Sequence, residues 1–248
     1  MPRNLLILGG ITEAYALARD LSARKDLRVI TSLAGRTRSP RVPEGDLRVG
    51  GFGGPEGLAA YLADQRIDAV VDCTHPFASR MGWNAAAACA ARSVPLLRLE
   101  RPAWVRREGD RWTEVDNWEA AVAVVHAQAR RVLLALGRQE LEPFAPLDEV
   151  WFLIRSVEAP NPMPAFAQAD LLLTKGPFSL DGERALLTER SIDTIVCKNS
   201  GGPTDAKLEA ARALGVRVVM KRRPPRPETP TATSVTEALQ WLGYQRGV

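Results

Sequence analysis

The sequence predicts an α/β protein with mostly parallel sheets, and three observations carry that expectation. Short apolar runs alternate with amphipathic segments along almost the whole chain. The first run leads straight into two glycines, in "LLILGGITEA" at residues 5–14. A segment before the middle, "IDAVVDCTHPFASRMGWNAAAACAARSVPLLRLERP" (67–102), is echoed near the end by "IDTIVCKNSGGPTDAKLEAARALGVRVVMKRRP" (192–224). Short runs without polar alternation suit strands buried on both faces, and glycines ahead of a helix suit the turn that leaves such a strand. Both copies of the echo pass through Ile-Asp, a strand, a loop, an Ala-rich helix, a second strand and Arg-Pro. We read them as one βαβ plan used twice, and expect two Rossmann-like domains, 1–100 and 101–248.

The elements follow in order. Expected strands are 5–8, 28–32, 47–49, 69–73 and 96–99, then 132–136, 150–154, 171–174, 194–197 and 216–220; each is a short apolar run bounded by polar or glycine residues. Expected helices are 12–24, 56–65, 79–91, 117–129, 181–189 and 204–214, where apolar residues recur at helical spacing. Charge and proline interrupt the pattern at 100–103, which marks the domain boundary. "SVTEALQWLGY" (234–244) opens with a Ser-x-x-Glu capping pattern and reads as a final helix able to pack on either domain.

Composition narrows the class. Of 248 residues, 46% are hydrophobic and 25% charged, as in ordinary globular proteins, and no run is long enough to span a bilayer. The start, Met1-Pro2-Arg3-Asn4, enters a strand without signal-peptide architecture, so a cytoplasmic location is expected. Cys73, Cys89 and Cys197 form no C-x-x-C pair and sit in apolar stretches, which reads as reduced core thiols; no metal site is expected. The net charge of +4 favours an anionic partner. The basic residues are scattered and carry no nucleic-acid signature, so a polyanionic small molecule is expected, with neither nucleic acid nor membrane as partner.

Ligands of open parallel sheets bind beyond the carboxyl ends of the strands, where strand order reverses. Four loops should lie there. In the first, Gly9 and Gly10 permit close approach of a phosphate, the helix start directs free N–H groups to it, and Thr12 adds a hydroxyl. The turn departs from the G-x-G-x-x-G fingerprint, because Ile11 stands at the middle glycine. Glu13 would repel phosphate and is expected to cap the turn or face a ribose hydroxyl. The second loop, "TSLAGRTRSPR" (31–41), lacks the acidic residue an NAD site places there; Ser32, Arg36, Thr37 and Arg38 supply donors and charge for a 2′-phosphate. NADPH is therefore expected over NADH. The third, "CTHPFAS", carries Thr74, His75, Pro76 and Phe77, with His75 the weak candidate for proton chemistry. The fourth, "CKNSGGPTDAK", joins Lys198, Asn199, Ser200, Gly201, Gly202, Thr204 and Lys207 ahead of a helix, and "TKGPFS" adds Lys175 and Phe178. Cations, hydroxyls and glycines in that pattern suit carboxylate or phosphate binding.

Taken together, "ILGGITEA" (7–14), "DCTHPFA" (72–78), "KNSGG" (198–202) and "AKLEAAR" (206–212) resemble, in order and over almost the whole chain, the motifs of the precorrin-6A reductase family of corrin-ring biosynthesis. Ile11 stands where that family commonly has threonine, and Tyr15 where arginine is frequent. The resemblance implies NADPH-dependent reduction of one macrocycle double bond, giving precorrin-6B, by two Rossmann-like domains with the active site in the interdomain cleft. It also implies a substrate rimmed by carboxylates. Lys175, Lys198 and Lys207 are the candidates to hold that rim, with Ser200 and the Gly201–Gly202 backbone as donors. His75, a substrate-side lysine and solvent stay open as proton source, and transient contact with neighbouring pathway enzymes is open too.

Three rival readings differ in chemistry. A short-chain dehydrogenase needs Tyr-x-x-x-Lys, but Tyr15, Tyr61 and Tyr244 are followed at that spacing by Arg19, Gln65 and Val248. A tetrapyrrole methyltransferase would want an acidic residue after the second strand. A non-catalytic two-domain protein that binds an anion would bind the ring without oxidising NADPH.

Overall fold

The structure is a computed structural model that describes residues 3–35 and 42–244. Arg36, Thr37 and Arg38, expected at a 2′-phosphate, lie outside the described residues. The chain divides into two compact units, 1–102 with 224–248, and 103–223. The expected division carried the second domain to residue 248, whereas the chain returns to the first unit after Arg223.

In the first unit the order is β1 (Arg3–Leu8), α1 (Thr12–Ser22), β2 (Leu27–Leu33), β3 (Asp46–Val49), α2 (Pro55–Asp64), β4 (Ile67–Asp72), α3 (Ser79–Arg92) and β5 (Leu96–Leu99). The second contains β6 (Trp112–Val115), α4 (Trp118–Gln128), β7 (Arg131–Ala135), single 3-10 turns at Arg138–Glu140 and Glu142–Phe144, β8 (Trp151–Ser156), β9 (Ala169–Leu173), α5 (Leu180–Glu189), β10 (Thr194–Lys198), α6 (Ala206–Leu214) and β11 (Arg217–Lys221). The chain then completes the first unit with β12 (Thr231–Ala232) and α7 (Val235–Tyr244).

Each unit holds one six-stranded sheet, ordered β12-β5-β4-β1-β2-β3 and β6-β11-β10-β7-β8-β9. Every pairing among the described residues is parallel. The two orders are one plan. In each sheet a central strand, β1 or β7, is flanked on one side by the next two strands of the chain and on the other by the two after those. The sequence echo occupies the same place in both, as β4-α3-β5 and β10-α6-β11. Only the outermost strand differs: the last strand of the chain takes that place in the first sheet, and the first strand of its unit takes it in the second.

Neither outer strand was expected from the sequence. β6 reads Trp-Thr-Glu-Val with both middle residues exposed, and β12 is two residues long, so neither presents an apolar run. α7 belongs to the first unit, because β12 pairs with β5 and Ala238, Leu239 and Leu242 join the core of α1. Its capping pattern forms: Ser234 Oγ accepts from Glu237 N at 3.2 Å, and the Glu237 carboxylate accepts from Thr233 N at 2.7 Å.

Central strands are buried on both faces, which explains their unbroken apolar runs. In β1, Leu5 and Ile7 pack toward α1 while Leu6 and Leu8 pack toward α2 and α3. In β7, Val132 and Leu134 face one core and Leu133 the other. The three cysteines are free and buried. Burial pushes the Cys89 thiol up to about 12, and raises Cys73 and Cys197 as well, so these groups stay protonated and inert.

Candidate functional site

Strand order reverses between β1 and β4 in the first sheet, which places the ends of these strands side by side. Gly9 N donates to Ser32 O at 2.8 Å, and Cys73 N to Leu8 O at 2.9 Å. Gly10 lies against the third loop: a Cβ there would come 3.2 Å from His75 N and 3.3 Å from Thr74 Cα. Both neighbours are backbone, so a side chain there would need the third loop to give by a few tenths of an ångström. Ile11 is the N-cap of α1, but its side chain is buried in the α1 core, so it offers a ligand only backbone. Thr12 is exposed at the first helical position. Glu13 does not cap the turn; its carboxylate lies 3.7 Å from the Arg101 guanidinium.

The third loop is tied down by charge. Asp72 Oδ1 accepts from Thr74 N at 3.0 Å and Thr74 Oγ1 at 2.6 Å, while Oδ2 pairs with Arg226 Nη2 at 2.5 Å. Asp72 and Arg226 are both almost fully buried. The Thr74 hydroxyl is thus turned inward to Asp72. His75 is half-buried, and its Nδ1 accepts from Phe77 N at 3.2 Å. A neutral His75 therefore carries its proton on Nε2. Pro76 is buried and Phe77 half-buried, with the His75 and Phe77 rings 5.8 Å apart. Ser32, at the end of β2, is buried and accepts from Arg48 Nη1 at 3.2 Å.

The second sheet reverses between β7 and β10. Lys198 ends β10, and its Nζ donates to Glu140 Oε2 at 2.5 Å in the loop after β7. The segment that follows is built around Trp104. Asn199 is buried and clamps the Trp104 backbone, accepting from its N at 2.8 Å and donating to its O at 3.0 Å. Trp104 Nε1 donates to Gly202 O at 3.0 Å. Gly201 and Gly202 take φ of +66° and +74°, a conformation costly to other residues. Arg223 Nε donates to Asn199 O at 2.9 Å and its Nη2 to Ser200 O at 3.2 Å.

Two expected ligand residues have structural partners. The Asn199 amide gives one donor and its oxygen to the Trp104 backbone. Lys207 is buried, donates to Thr204 O at 2.5 Å and lies 4.3 Å from the Trp104 ring centroid, so its ammonium does not face a substrate carboxylate. Lys175 is exposed. Phe178 is half-buried, with the Arg155 guanidinium 4.3 Å from its ring centroid; Arg155 in turn pairs with buried Glu183 at 2.7 Å. The sequence reading passed over Asp72, Arg226, Arg48, Glu140 and Trp104. Only Asp72 gave a signal, beside the Thr-His pair.

Burial pushes the Lys207 pKa below its ordinary 10.5, and Arg155 adds to the shift. The folded state thus binds fewer protons than the unfolded chain between the lowered value and 10.5, and stability rises with pH across that window. Lys207→Met removes this dependence. Denaturant unfolding at pH 7 and pH 10 should show the unsubstituted chain gaining on the variant as pH rises; a gain in the other direction would mean a raised pKa.

Among the described residues, no group of three or more His, Cys, Asp or Glu is placed to hold a metal ion, and no helix is long and apolar enough to cross a membrane. The profile of the family described as "Precorrin-6x reductase CbiJ/CobK" matches residues 4–243. The chain belongs to the precorrin-6x reductase family. It is 47% identical over 243 residues to the precorrin-6A reductase of Rhodococcus erythropolis, covering 97% of each chain. It is 46% identical over 244 residues to that of a Sinorhizobium species, covering 97% of this chain and 93% of the relative. The solved structure of a CobK precorrin-6A reductase superposes with a TM-score of 0.92 at 39% identity, covering 99% of this chain and 100% of that one. This member of the family is an oxidoreductase of cobalamin biosynthesis with the expected α/β, parallel-sheet architecture.

Proposed function

We propose that the chain reduces one carbon–carbon double bond of the macrocycle precorrin-6A to give precorrin-6B, with NADPH as reductant. The observation that carries the reaction is the likeness, along nearly the whole length, to reductases named for precorrin-6A. Local features support the reductant. The β1–α1 turn has no side chain at Gly10 to screen it, and the start of the eleven-residue α1 supplies free N–H groups and a partial positive charge suited to phosphates. No acidic residue occurs from 29 to 43 to claim a ribose 2′-hydroxyl.

When bound, NADPH supplies the hydride. The chain's own residues position and polarise. His75, whose Nδ1 accepts from the Phe77 N–H, is one candidate for the proton delivered to the neighbouring carbon; a lysine of the second unit and solvent are the others. In the second unit, Lys175 and Lys198 would hold ring carboxylates, with Ser200 and the Gly201–Gly202 backbone as further donors. Lys198 would exchange the Glu140 carboxylate for one from the ring, which keeps a partly buried cation paired throughout.

Purified protein mixed with precorrin-6A and NADPH should oxidise NADPH only when the ring is present, and the ring should gain two hydrogens by mass spectrometry. NADH should support a slower reaction. Binding of the ring without any cofactor oxidation would instead favour a non-catalytic binding protein.

A further inference from the structure

We propose that Arg48 sets the preference for NADPH by reading its 2′-phosphate; this rests on the reading of the first unit as the NADPH-binding unit. The argument begins with register. β3 runs parallel to β2 and pairs Arg48 with Ser32, near the carboxyl end of β2. In dinucleotide-binding sheets that is where the ribose 2′ substituent is recognised, by a carboxylate for a hydroxyl or an arginine for a phosphate.

The guanidinium is held in one orientation. Nη1 donates to Gly50 O at 2.6 Å and to Ser32 Oγ at 3.2 Å, and Nη2 donates to Gly51 O at 2.8 Å. Its Cζ lies 3.7 Å from the Phe52 ring centroid and 5.1 Å from that of Tyr61, and those rings meet edge-on at 5.3 Å. Arginine carries five N–H donors. Three are used here, all on neutral oxygens, which leaves the Nε–H and one Nη2–H for a ligand.

The charge is also unmatched. Among the described residues Arg48 has no carboxylate partner although it is half-buried, whereas Arg28, on the paired strand, meets Asp46 at 2.8 Å. A half-buried cation that an aromatic ring and two carbonyls hold in place, with donors to spare, is suited to phosphate oxygens. The adjacent loop leaves room: a Cβ at Gly50, Gly51 or Gly53 would meet nothing within 4 Å.

The test uses the full chain and isothermal titration with two fragments, 2′,5′-ADP and 5′-AMP. The unsubstituted protein should prefer 2′,5′-ADP. Arg48→Lys, which keeps the charge and stem but loses the fork, should weaken 2′,5′-ADP about tenfold or more while leaving 5′-AMP within about twofold. Arg48→Met, which also removes the charge, should abolish the preference. Equal loss for both fragments would show that Arg48 merely holds the loop and would overturn the proposal, as would a preference unchanged in both variants. If the unsubstituted chain binds 5′-AMP as well as 2′,5′-ADP, the NADPH reading itself fails, a result separable from failure of Arg48 alone.

Discussion

Gly57→Ala is expected to destabilise the first unit by about 3 kcal/mol. Gly57 lies in the first turn of α2, where the chain has just doubled back over the helix start. A Cβ built at this position would sit 1.8 Å from Phe52 O and 2.9 Å from Phe52 C. Those atoms are backbone, so no rotamer change relieves the clash and the 50–54 segment must move. Helix propensity alone predicts the opposite sign, since alanine in a helix is favoured over glycine by about 1 kcal/mol. Denaturant unfolding read with hydrogen exchange across α2 decides between the two. A stabilised variant would show that the loop gives way freely. Loss of stability accompanied by loss of 2′,5′-ADP preference would tie the clash to Arg48, whose guanidinium stacks on Phe52 and holds the carbonyls of Gly50 and Gly51.

That glycine-rich stretch shows where the sequence stops being legible. Unbroken apolar runs such as Leu-Leu-Ile-Leu located the central strands, because burial on both faces leaves a periodicity-free signature. The echo placed β4-α3-β5 and β10-α6-β11 as equivalent units because it rests on local order along the chain. What failed to appear depends on partners far away in sequence. Asp72 meets Arg226 across 154 positions, and Asn199 meets Trp104 across 95. Lys207, in Ala-Lys-Leu-Glu-Ala-Ala-Arg, reads as a cation for the carboxylate rim, yet it is buried with Trp104 against it. Arg48 looks like one of many surface cations until β2–β3 register puts it beside Ser32. Motif residues announced the loops that follow the central strands. The side chains that hold those loops in place carry no motif.

The Asp72–Arg226 pair supplies the second large effect. Removing Arg226 leaves a carboxylate almost fully buried with only Thr74 N and Oγ1 as donors, and breaking a buried ion pair from one side costs about 3–5 kcal/mol. Arg226→Met should therefore lower the unfolding free energy of the first unit by that amount. Asp72→Asn should do the same from the other side, leaving a buried guanidinium. The double variant Asp72→Asn/Arg226→Met, which buries no charge, should recover a substantial part of either loss, so the two effects should be far from additive. Additivity in denaturant unfolding would show that the charges do not depend on one another. Function separates a scaffold role from a local one. Arg226 Nη1 also reaches His75 O at 3.4 Å, and the guanidinium fills the space above Gly82, where a Cβ would come within 2.7 Å of it. The pair thus fixes the Thr74–His75 backbone against which Gly10 packs. If that backbone shapes the cofactor turn, the single variants should raise KM for NADPH even under conditions where they remain fully folded. The double variant, with the charges gone but the backbone less distorted, should lie between them and the unsubstituted chain.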